Sequence, residues 1–390
     1  MIGPADETWA GFEAAVRLQV AGRLDEAEAA WRSLLARAPE IAEAHTNLGG
    51  VLKSLGRVAE AAEAHRQAVR LNPRFAQAWF NLGVVEAWRR RWAEAEAAFR
   101  RTLAIEPQHS YARLQLAYVL LLTGRFQAGW AAYEARREIP GRVDRLDLPE
   151  WRGEPLAGKS LAVWPEQGFG DQIQFARYAP RLKAMGARVR LICQRPLLRL
   201  FQTLGVEAQA REATTSFERP DYWIPIGSLP GRLGEDFASI DGAPYLLVPD
   251  QARAAWVGRA PGGGVGVVWR GNPDHPNDRA RSLPSPEVLA PLREAGMALI
   301  DLQDPRGDFA DTAAILEGLD LVITVDTSMA HLAGALGKPC WVMLAYEGQD
   351  WRWFEGRDDS PWYRSVRLFR QPAAGDWASV VAAMAQAWRA

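Results

Sequence analysis

The chain has 390 residues, which is long enough for two or three domains with hydrophobic cores. Its hydrophobic content of 48% and charged content of 24% are typical of folded proteins, and a net charge of −1 gives no overall attraction to nucleic acid. No run of 18 apolar residues occurs, and no basic segment followed by an apolar run begins the chain, so neither a membrane-spanning helix nor a secretion signal is predicted. We therefore expect a cytoplasmic protein whose two cysteines, Cys193 and Cys340, are reduced and buried.

A period of 34 residues runs through the first part of the chain. It is kept by prolines at 39, 73 and 107, glycines at 22, 56 and 124, alanines at 27, 61 and 95, and bulky residues at 31, 65 and 99. Alanines let paired helices approach closely, glycine allows the turn between them, and proline ends the second helix. We predict three full repeats over residues 8–109 and a degenerate fourth to about 139, which together form a helical domain at 1–139.

The pattern resembles the tetratricopeptide repeat, because Leu48-Gly49, Leu82-Gly83 and Trp79 occupy the Leu-Gly and Trp positions of that family. The resemblance implies a superhelix of stacked helix pairs that holds a protein or peptide partner.

Strands and helices alternate after a predicted linker at 140–158, where prolines and glycines break any helix. Strands are predicted at 161–164, 188–193 and 222–226, with helices at 172–185 and 196–204. A second series has strands at 265–269, 298–302, 321–325, 340–344 and 366–370, with helices at 286–295, 311–319, 328–336 and 377–389. This alternation predicts two Rossmann-like α/β halves, 159–260 and 261–390, whose ligands bind at the carboxyl ends of the strands.

Polar turns follow three of these strands. The turn at 165–171 ends in Gly170-Asp171, and Asp326-Thr327-Ser328 precede a helix whose free N–H groups and dipole suit a diphosphate, although such residues also cap ordinary helices. The loop at 270–282 carries three arginines and two asparagines. Guanidinium groups suit an anionic ligand, whereas the same composition also fits a solvated loop.

Other side chains near these turns have two interpretations each. His331 could donate to a phosphate or pack in the core. The aromatic residues Trp351, Trp353, Trp362 and Tyr363 could stack on a base or sugar ring, or seal the terminal helix onto the sheet. The scattered histidines and cysteines form no metal-ligand pattern, and no dinucleotide fingerprint follows a strand, so neither a metal nor a cofactor is predicted.

Four segments together resemble the bacterial tetratricopeptide-repeat glycosyltransferases, whose catalytic part is similar to lipopolysaccharide heptosyltransferases. They are WPEQGFGDQIQFARYAPRL, VVWRGNPDHPNDRARSLP, DLVITVDTSMAHLAGALGKP and DWRWFEGRDDSPWYRSVRLFRQ. The resemblance covers essentially the whole chain and implies a GT-B fold of two facing Rossmann-like halves. The half at 159–260 would take the acceptor, and the half at 261–390 the nucleotide sugar.

The resemblance also implies roles for individual residues. Asp171 matches the general base, with Glu166 as a rival in the same turn and helix capping as the other role of Asp171. The donor contacts would come from Arg270, Asn272, Arg281, Ser282, Asp326, Thr327, Ser328 and His331. The family usually carries a lysine in the loop where this chain has arginines.

These features predict an inverting, metal-independent glycosyltransferase. It would move a sugar from a nucleotide-sugar donor to an acceptor hydroxyl, on a protein docked by the repeats, with no cofactor besides the donor substrate. Two alternatives are a non-catalytic repeat scaffold with a degenerate transferase domain and a regulator that binds a sugar nucleotide.

Overall fold

The computed structural model describes residues 4–212, 218–275, 277–304 and 307–389. Residues 1–3 of the predicted repeat domain, Pro276 of the predicted arginine loop and Ala390 lie outside the described residues. The chain divides into two compact units, Met1–Val119 and Leu120–Ala390. This division falls earlier than the predicted end of the repeats at 139.

The first unit consists of antiparallel helix pairs with the predicted period. Its helices are α1 (Pro4–Val20), α2 (Leu24–Arg37), α3 (Ala42–Ser54), α4 (Val58–Leu71), α5 (Ala76–Trp88) and α6 (Trp92–Ile105). Helix α7 (Ser110–Leu122) crosses the division, and α8 (Phe126–Tyr133) belongs to the second unit. Gly22 and Gly56 adopt positive φ angles of 71° and 80° in the turns between paired helices, and Arg90 takes the same conformation in the third turn.

The glycine of each Leu-Gly pair lies where two paired helices touch. A Cβ atom on Gly49 would lie 2.5 Å from Cε1 of His65, and one on Gly83 would lie 2.5 Å from Cε1 of Phe99. Burial lowers the pKa of His65 to about 4, with a smaller contribution from the charge of Lys53, so this imidazole is a neutral core group. The period therefore encodes close contact between helices, as the sequence predicted.

A four-stranded parallel sheet forms the first α/β layer of the second unit. Its strands are β1 (Ser160–Trp164), β2 (Arg188–Cys193), β3 (Glu207–Ala210) and β4 (Tyr222–Pro225), in the order β3-β2-β1-β4. Its helices are α9 (Phe169–Ala176), α10 (Tyr178–Ala184), α11 (Leu198–Phe201) and α12 (Leu229–Arg232). Helix α13 (Asp250–Trp256) follows and packs against the helix Phe309–Glu317 of the second layer. The predicted single helix at 172–185 is thus two helices, because Pro180 has no N–H to donate to the carbonyl of Ala176.

The predicted linker at 140–158 is docked on this sheet. Glu150 forms a parallel bridge with Trp223 of β4, and the indole N–H of Trp223 donates to the carbonyl of Leu148 at 3.0 Å. Prolines and glycines had indicated only that no helix forms here, and a segment without a helix can still add backbone hydrogen bonds to a sheet edge.

A six-stranded sheet forms the second α/β layer. Its strands are β5 (Val265–Val268), β6 (Leu299–Asp301), β7 (Leu321–Val325), β8 (Cys340–Leu344), β9 (Asp359–Ser360) and β10 (Tyr363–Arg370), in the order β6-β5-β7-β8-β10-β9. All neighbours are parallel except β9. The helices are α14 (Asp278–Arg281), α15 (Ala290–Glu294), α16 (Phe309–Glu317), α17 (Ser328–Ala335) and α18 (Trp377–Arg389).

These elements bear out an α/β region after the helical repeats. The two cysteines are both buried thiols, as predicted. None of the described helices is long and apolar enough to cross a membrane.

Candidate functional site

The N-terminal turns of α9 and α17 meet at the carboxyl ends of the two sheets. Helix α9 follows β1, and α17 follows β7. A Cβ atom on Gly170 would lie 2.8 Å from Cδ2 of His331 and 3.5 Å from Cα of Ser328, so only glycine allows this approach. The contact brings together two helix ends whose first N–H groups have no partner within the helix.

Asp171 occupies the first turn of α9 and is partly exposed, with 21% of its side chain accessible. Its Oδ2 accepts a hydrogen bond from the backbone N–H of Gly168 at 3.0 Å, which caps the helix. Its Oδ1 accepts from the guanidinium of Arg352. Burial raises the pKa of Asp171, the charge of Arg352 opposes this, and the carboxylate of Asp350 adds to the rise. Asp171 thus takes part in capping, but as the third residue of α9 and not as the N-cap of a helix that begins at Gln172, and its role as base remains a prediction.

Arg352 joins carboxylates from both α/β layers. It lies in a short 3-10 helix (Trp351–Trp353) after β8, with only 7% of its side chain exposed. Nε donates to Oε1 of Gln174 at 2.5 Å, Nη1 donates to both carboxylate oxygens of Asp350 at 3.0 Å, and Nη2 donates to Asp171. This arginine therefore ties α9 to the loop that follows β8.

Glu166 is enclosed by partners. Its carboxylate accepts two hydrogen bonds from Arg136, at 2.9 Å from Nε and 2.7 Å from Nη2, and a third at 2.7 Å from the N–H of Gly227. The side chains of Glu166 and Arg136 are each 1% exposed. A carboxylate held this way is not presented to an acceptor hydroxyl, so the geometry favours Asp171 over Glu166 as the candidate base.

The arginine loop is tied to the aspartate–threonine turn. Nη1 of Arg281 donates to the backbone carbonyl of Asp326 at 3.0 Å, and its Nε donates to Asp278 at 3.2 Å. Oγ of Ser282 donates to the same carboxylate at 2.9 Å and accepts from the N–H of Gly271. Arg281 and Ser282 thus shape the loop from within.

Arg270 and Asn272 have a different position, because both are exposed at the carboxyl end of β5. The guanidinium of Arg270 lies 5.1 Å from the ring centroid of Trp269. Asn272 accepts from the N–H of Asp274 at 3.0 Å, which is a local turn contact. Arg270 is accordingly the candidate donor contact that is most open to a ligand.

Thr327 caps α17, since its Oγ1 accepts from the N–H of Met329 at 3.2 Å. Ser328 is the first residue of the helix and is partly exposed. Burial raises the pKa of Asp326, and the carboxylate of Asp350 raises it further. The turn thus combines a capped helix end with a carboxyl group that resists ionisation.

His331 is a core residue in this structure. Its Nδ1 shares a hydrogen bond with the hydroxyl of Tyr363 at 2.9 Å, and its ring stacks on Trp353 with centroids 5.4 Å apart. Burial lowers the pKa of His331 to about 3, with Arg352 contributing, so the imidazole is neutral at physiological pH. The packing interpretation of His331 is the one that the structure shows.

The aromatic residues at the end of the chain need a correction. Trp351 is 2% exposed and Trp353, Trp362 and Tyr363 are fully buried, so none of these rings is available to stack on a ligand in this conformation. Trp351 packs edge-on against Trp130 at 5.3 Å, rather than beneath the terminal helix. Their burial follows from contacts distant in sequence, which a local aromatic pattern does not specify.

Two arginines at the site were missed from the sequence. Arg352 stands between two tryptophans and two residues after Asp350, in a segment where only the aromatic residues were predicted to contact a ligand. Arg136 lies at the end of the predicted repeats, where charged residues are usually solvated. An arginine flanked by aromatic residues that are predicted to be buried is a signal for an internal ion pair.

A cleft of about 460 Å³ lies elsewhere in the second unit, between α8 and α12. Its lining combines the charged residues Glu134, Arg232 and Glu235 with apolar surface that includes Trp130. Among the described residues, no group of three histidine, cysteine or acidic side chains could hold a metal ion.

Comparisons with known proteins show one curated relative that matches most of the chain and solved structures that each match about a third of it. Protein FlbA of Caulobacter vibrioides is 29% identical in an alignment 326 residues long, which covers 70% of this chain and 54% of that protein. The chain therefore spans about half the length of this curated relative. Similar solved structures include MamA, with 23% identity over 34% of this chain and 72% of that one and a TM-score of 0.32. Another is pilF of Pseudomonas aeruginosa, which is 23% identical over 35% of this chain and 62% of that one, with a TM-score of 0.33. The first TPR of Spaghetti (RPAP3) bound to an HSP90 peptide is 22% identical over 30% of this chain and 92% of that one, with a TM-score of 0.29.

A model of the tetratricopeptide repeat family matches residues 12–70, 51–106 and 89–142. These three matches overlap and cover the helix pairs of the first unit and the segment through α8. They agree with the repeats predicted over residues 8–139. Residues 12–142 are therefore tetratricopeptide repeats.

Proposed function

We propose that this protein is an inverting, metal-independent glycosyltransferase of the GT-B type. It moves a sugar from a nucleotide-sugar donor to an acceptor hydroxyl on a protein that the repeats bind. The observation that carries the proposal is the contact between the first turns of α9 and α17, at the carboxyl ends of two mainly parallel sheets. Open α/β sheets bind their ligands at that edge.

The donor's diphosphate binds at the start of α17. The backbone N–H of Ser328 and the dipole of α17 attract the diphosphate, since the N–H groups of Met329 and Ala330 already donate to Thr327. The exposed guanidinium of Arg270 adds a positive charge at the neighbouring strand end. Arg281 keeps the turn in place through the carbonyl of Asp326. These groups stabilise the negative charge that builds up on the leaving nucleoside diphosphate.

Asp171 removes the proton from the acceptor hydroxyl. That oxygen forms a bond to the anomeric carbon as the bond from this carbon to the diphosphate oxygen breaks on the opposite face, which inverts the configuration. The raised pKa of Asp171 makes its carboxylate a better proton acceptor. Each carboxylate oxygen has two acceptor positions, so the hydroxyl can donate to Asp171 while Arg352 stays bound.

The repeats supply the docking surface for the acceptor. Tetratricopeptide repeats stack into extended surfaces that commonly bind proteins, and the repeat of RPAP3 was solved with a bound peptide. A protein or peptide acceptor is the partner that this arrangement favours.

The first test is calorimetric titration with UDP, GDP, ADP, dTDP and CMP. We expect one nucleotide to bind, and Arg270→Ala to weaken it about tenfold or more, since hydrogen bonds to charged groups contribute about 1.5–3 kcal/mol. Arg293→Ala is the matched control, because it removes the same charge from α15, which leads into the amino end of β6. Binding of none of the five by the folded protein would refute the donor site.

The second test separates transfer from binding. Asp171→Asn should bind the nucleotide with unchanged affinity and lose donor turnover about 10²–10⁴-fold, the usual contribution of a general base. Undiminished turnover in this variant would eliminate Asp171 as the base. Binding without turnover in the wild type would identify the regulator, and a protein that binds none of the nucleotides but captures a partner would be the scaffold.

A further inference from the structure

Three side chains near residue 130 contact both loops of the candidate site. They are Trp130 and Tyr133 of α8 and Arg136 of the 3-10 helix that follows (Glu134–Glu138), and we call them the support cluster. All three are buried, with exposed fractions of 4%, 1% and 1%. They belong to the second compact unit together with the site.

The support cluster holds the turn that precedes Asp171. Arg136 forms two hydrogen bonds with Glu166, and the hydroxyl of Tyr133 accepts from Nε2 of Gln167 at 2.7 Å. Gln167 has a φ angle of 60°, a left-handed conformation that costs free energy for a residue with a side chain. A turn of this kind keeps its shape only when its surroundings hold it.

The support cluster also packs against the loop that carries Arg352. The ring of Trp351 lies edge-on to Trp130 at 5.3 Å and to Tyr133 at 6.2 Å. Since Arg352 follows Trp351 and binds Asp171, the same cluster supports both partners of this ion pair.

The burial of Arg136 indicates a role in positioning. Its guanidinium also binds Oγ of Ser228 at 2.7 Å and the carbonyl of Tyr133 at 3.2 Å, so its bonds reach three separate segments. A buried ion pair contributes little net stability compared with apolar residues of the same size, whereas a network with every partner satisfied specifies one arrangement.

We propose that the support cluster positions the turn before Asp171, with Arg136 and Tyr133 as positioning residues of the candidate active site. The catalytic consequence rests on the proposed function. The third match to the repeat family, 89–142, contains the cluster, so the end of the repeat array is part of the framework of the site.

Hydrogen exchange of the full chain tests the positioning directly. Tyr133→Phe keeps the ring and removes only the hydroxyl that Gln167 contacts, so the peptide at 165–176 should exchange about fivefold faster while the melting temperature changes little. Tyr111→Phe is the matched control, since it removes the same hydroxyl group from a side chain of α7 that is 51% exposed. Unchanged exchange at 165–176 in Tyr133→Phe would overturn the proposal.

A second variant removes the buried pair without leaving a lone charge. Arg136→Met combined with Glu166→Leu should fold, because apolar residues can replace buried ion pairs, and should exchange faster at 165–176 and around Gly227. Wild-type exchange in this folded variant would also count against the proposal.

Slow hydrolysis of the donor distinguishes positioning from simple structural support. In Tyr133→Phe we expect kcat to fall about tenfold, because a misplaced base slows the reaction, while KM for the donor stays within about twofold. Equal fold-changes in kcat and in KM for the donor would instead indicate that the substitution had damaged the fold as a whole. If the wild type binds none of the five nucleotides but the turn responds as expected in exchange, the proposed function fails and the positioning stands.

Discussion

Removal of the Arg352 guanidinium should destabilise the second unit strongly. This side chain is 7% exposed and binds Asp171, Asp350 and Gln174 from two different layers. Arg352→Met leaves two carboxylates without their cation, and breaking a buried ion pair in this way costs about 3–5 kcal/mol. The expected fall in melting temperature is about 6–10 °C, at the lower end of the response for domains of this size.

Scanning calorimetry of the full chain measures the effect, with Arg364→Met as control. Arg364 also pairs with an aspartate, Asp241 at 2.9 Å, but the two side chains are 74% and 72% exposed. An exposed pair contributes at most about 1 kcal/mol, so the control should lose about 2 °C or less.

The loss in Arg352→Met should also depend on pH. Burial raises the pKa of Asp171 and the charge of Arg352 opposes that rise, so without Arg352 this carboxylate binds a proton more readily at acidic pH. The difference from the wild type should therefore shrink between pH 8 and pH 5. If Arg352→Met is no less stable than Arg364→Met at pH 8, the inference that a buried ionic network joins the two layers is wrong.

Gly170→Ala should cost about 1–3 kcal/mol in unfolding experiments and weaken nucleotide binding, because its Cβ would lie 2.8 Å from the buried ring of His331; a neutral effect would refute the close approach of α9 and α17. The raised pKa of Asp326 means that the folded state favours the protonated acid. As the pH rises from about 3.9 to that raised pKa, the free energy of unfolding of the wild type should therefore fall by about 1.4 kcal/mol per pH unit. Asp326→Asn should not show this fall. The measurement is thermal unfolding of both proteins from pH 4 to 8, and parallel plots of stability against pH would contradict the reasoning. In the repeats, Gly49→Ala should lower the free energy of unfolding by about 1–3 kcal/mol. The control Gly50→Ala, whose Cβ would have its nearest neighbour at 3.9 Å, should leave that free energy unchanged or raise it by up to about 1 kcal/mol. Equal urea midpoints for the two variants would refute the helix contact at Gly49.

The helical repeats could be predicted because their determinants are local and recur. A period of 34 residues places small residues where paired helices touch, and the short distance from Gly49 to His65 is the packing that this pattern describes. The β-strands were also predictable from short apolar runs, whereas the break between α9 and α10 depended on one proline in a pattern that otherwise favours a single helix.

At the candidate site, the sequence indicated the turns but not the partners. Thr327 and Ser328 were predicted because polar residues after a buried strand cap the next helix, whereas the prediction of Asp171 as a base came mainly from the family resemblance. The capping contacts of Asp171 and Thr327 lie within a few residues. The burial of Trp351 and Trp353 was not predicted, because rings that pack on distant helices have the same local pattern as rings that face a ligand.

The sequence alone determined the repeat period, the alternation of strands and helices, and the polar turns at the strand ends, because each depends on hydrogen bonds and burial within a few residues or one repeat. The tertiary structure decided which charges meet. Arg352 and Asp171 are 181 positions apart, and Arg136 and Glu166 are 30 positions apart. Such pairs form only after the chain has brought two layers and the last repeat together, and no local pattern encodes which arginine a buried carboxylate will bind.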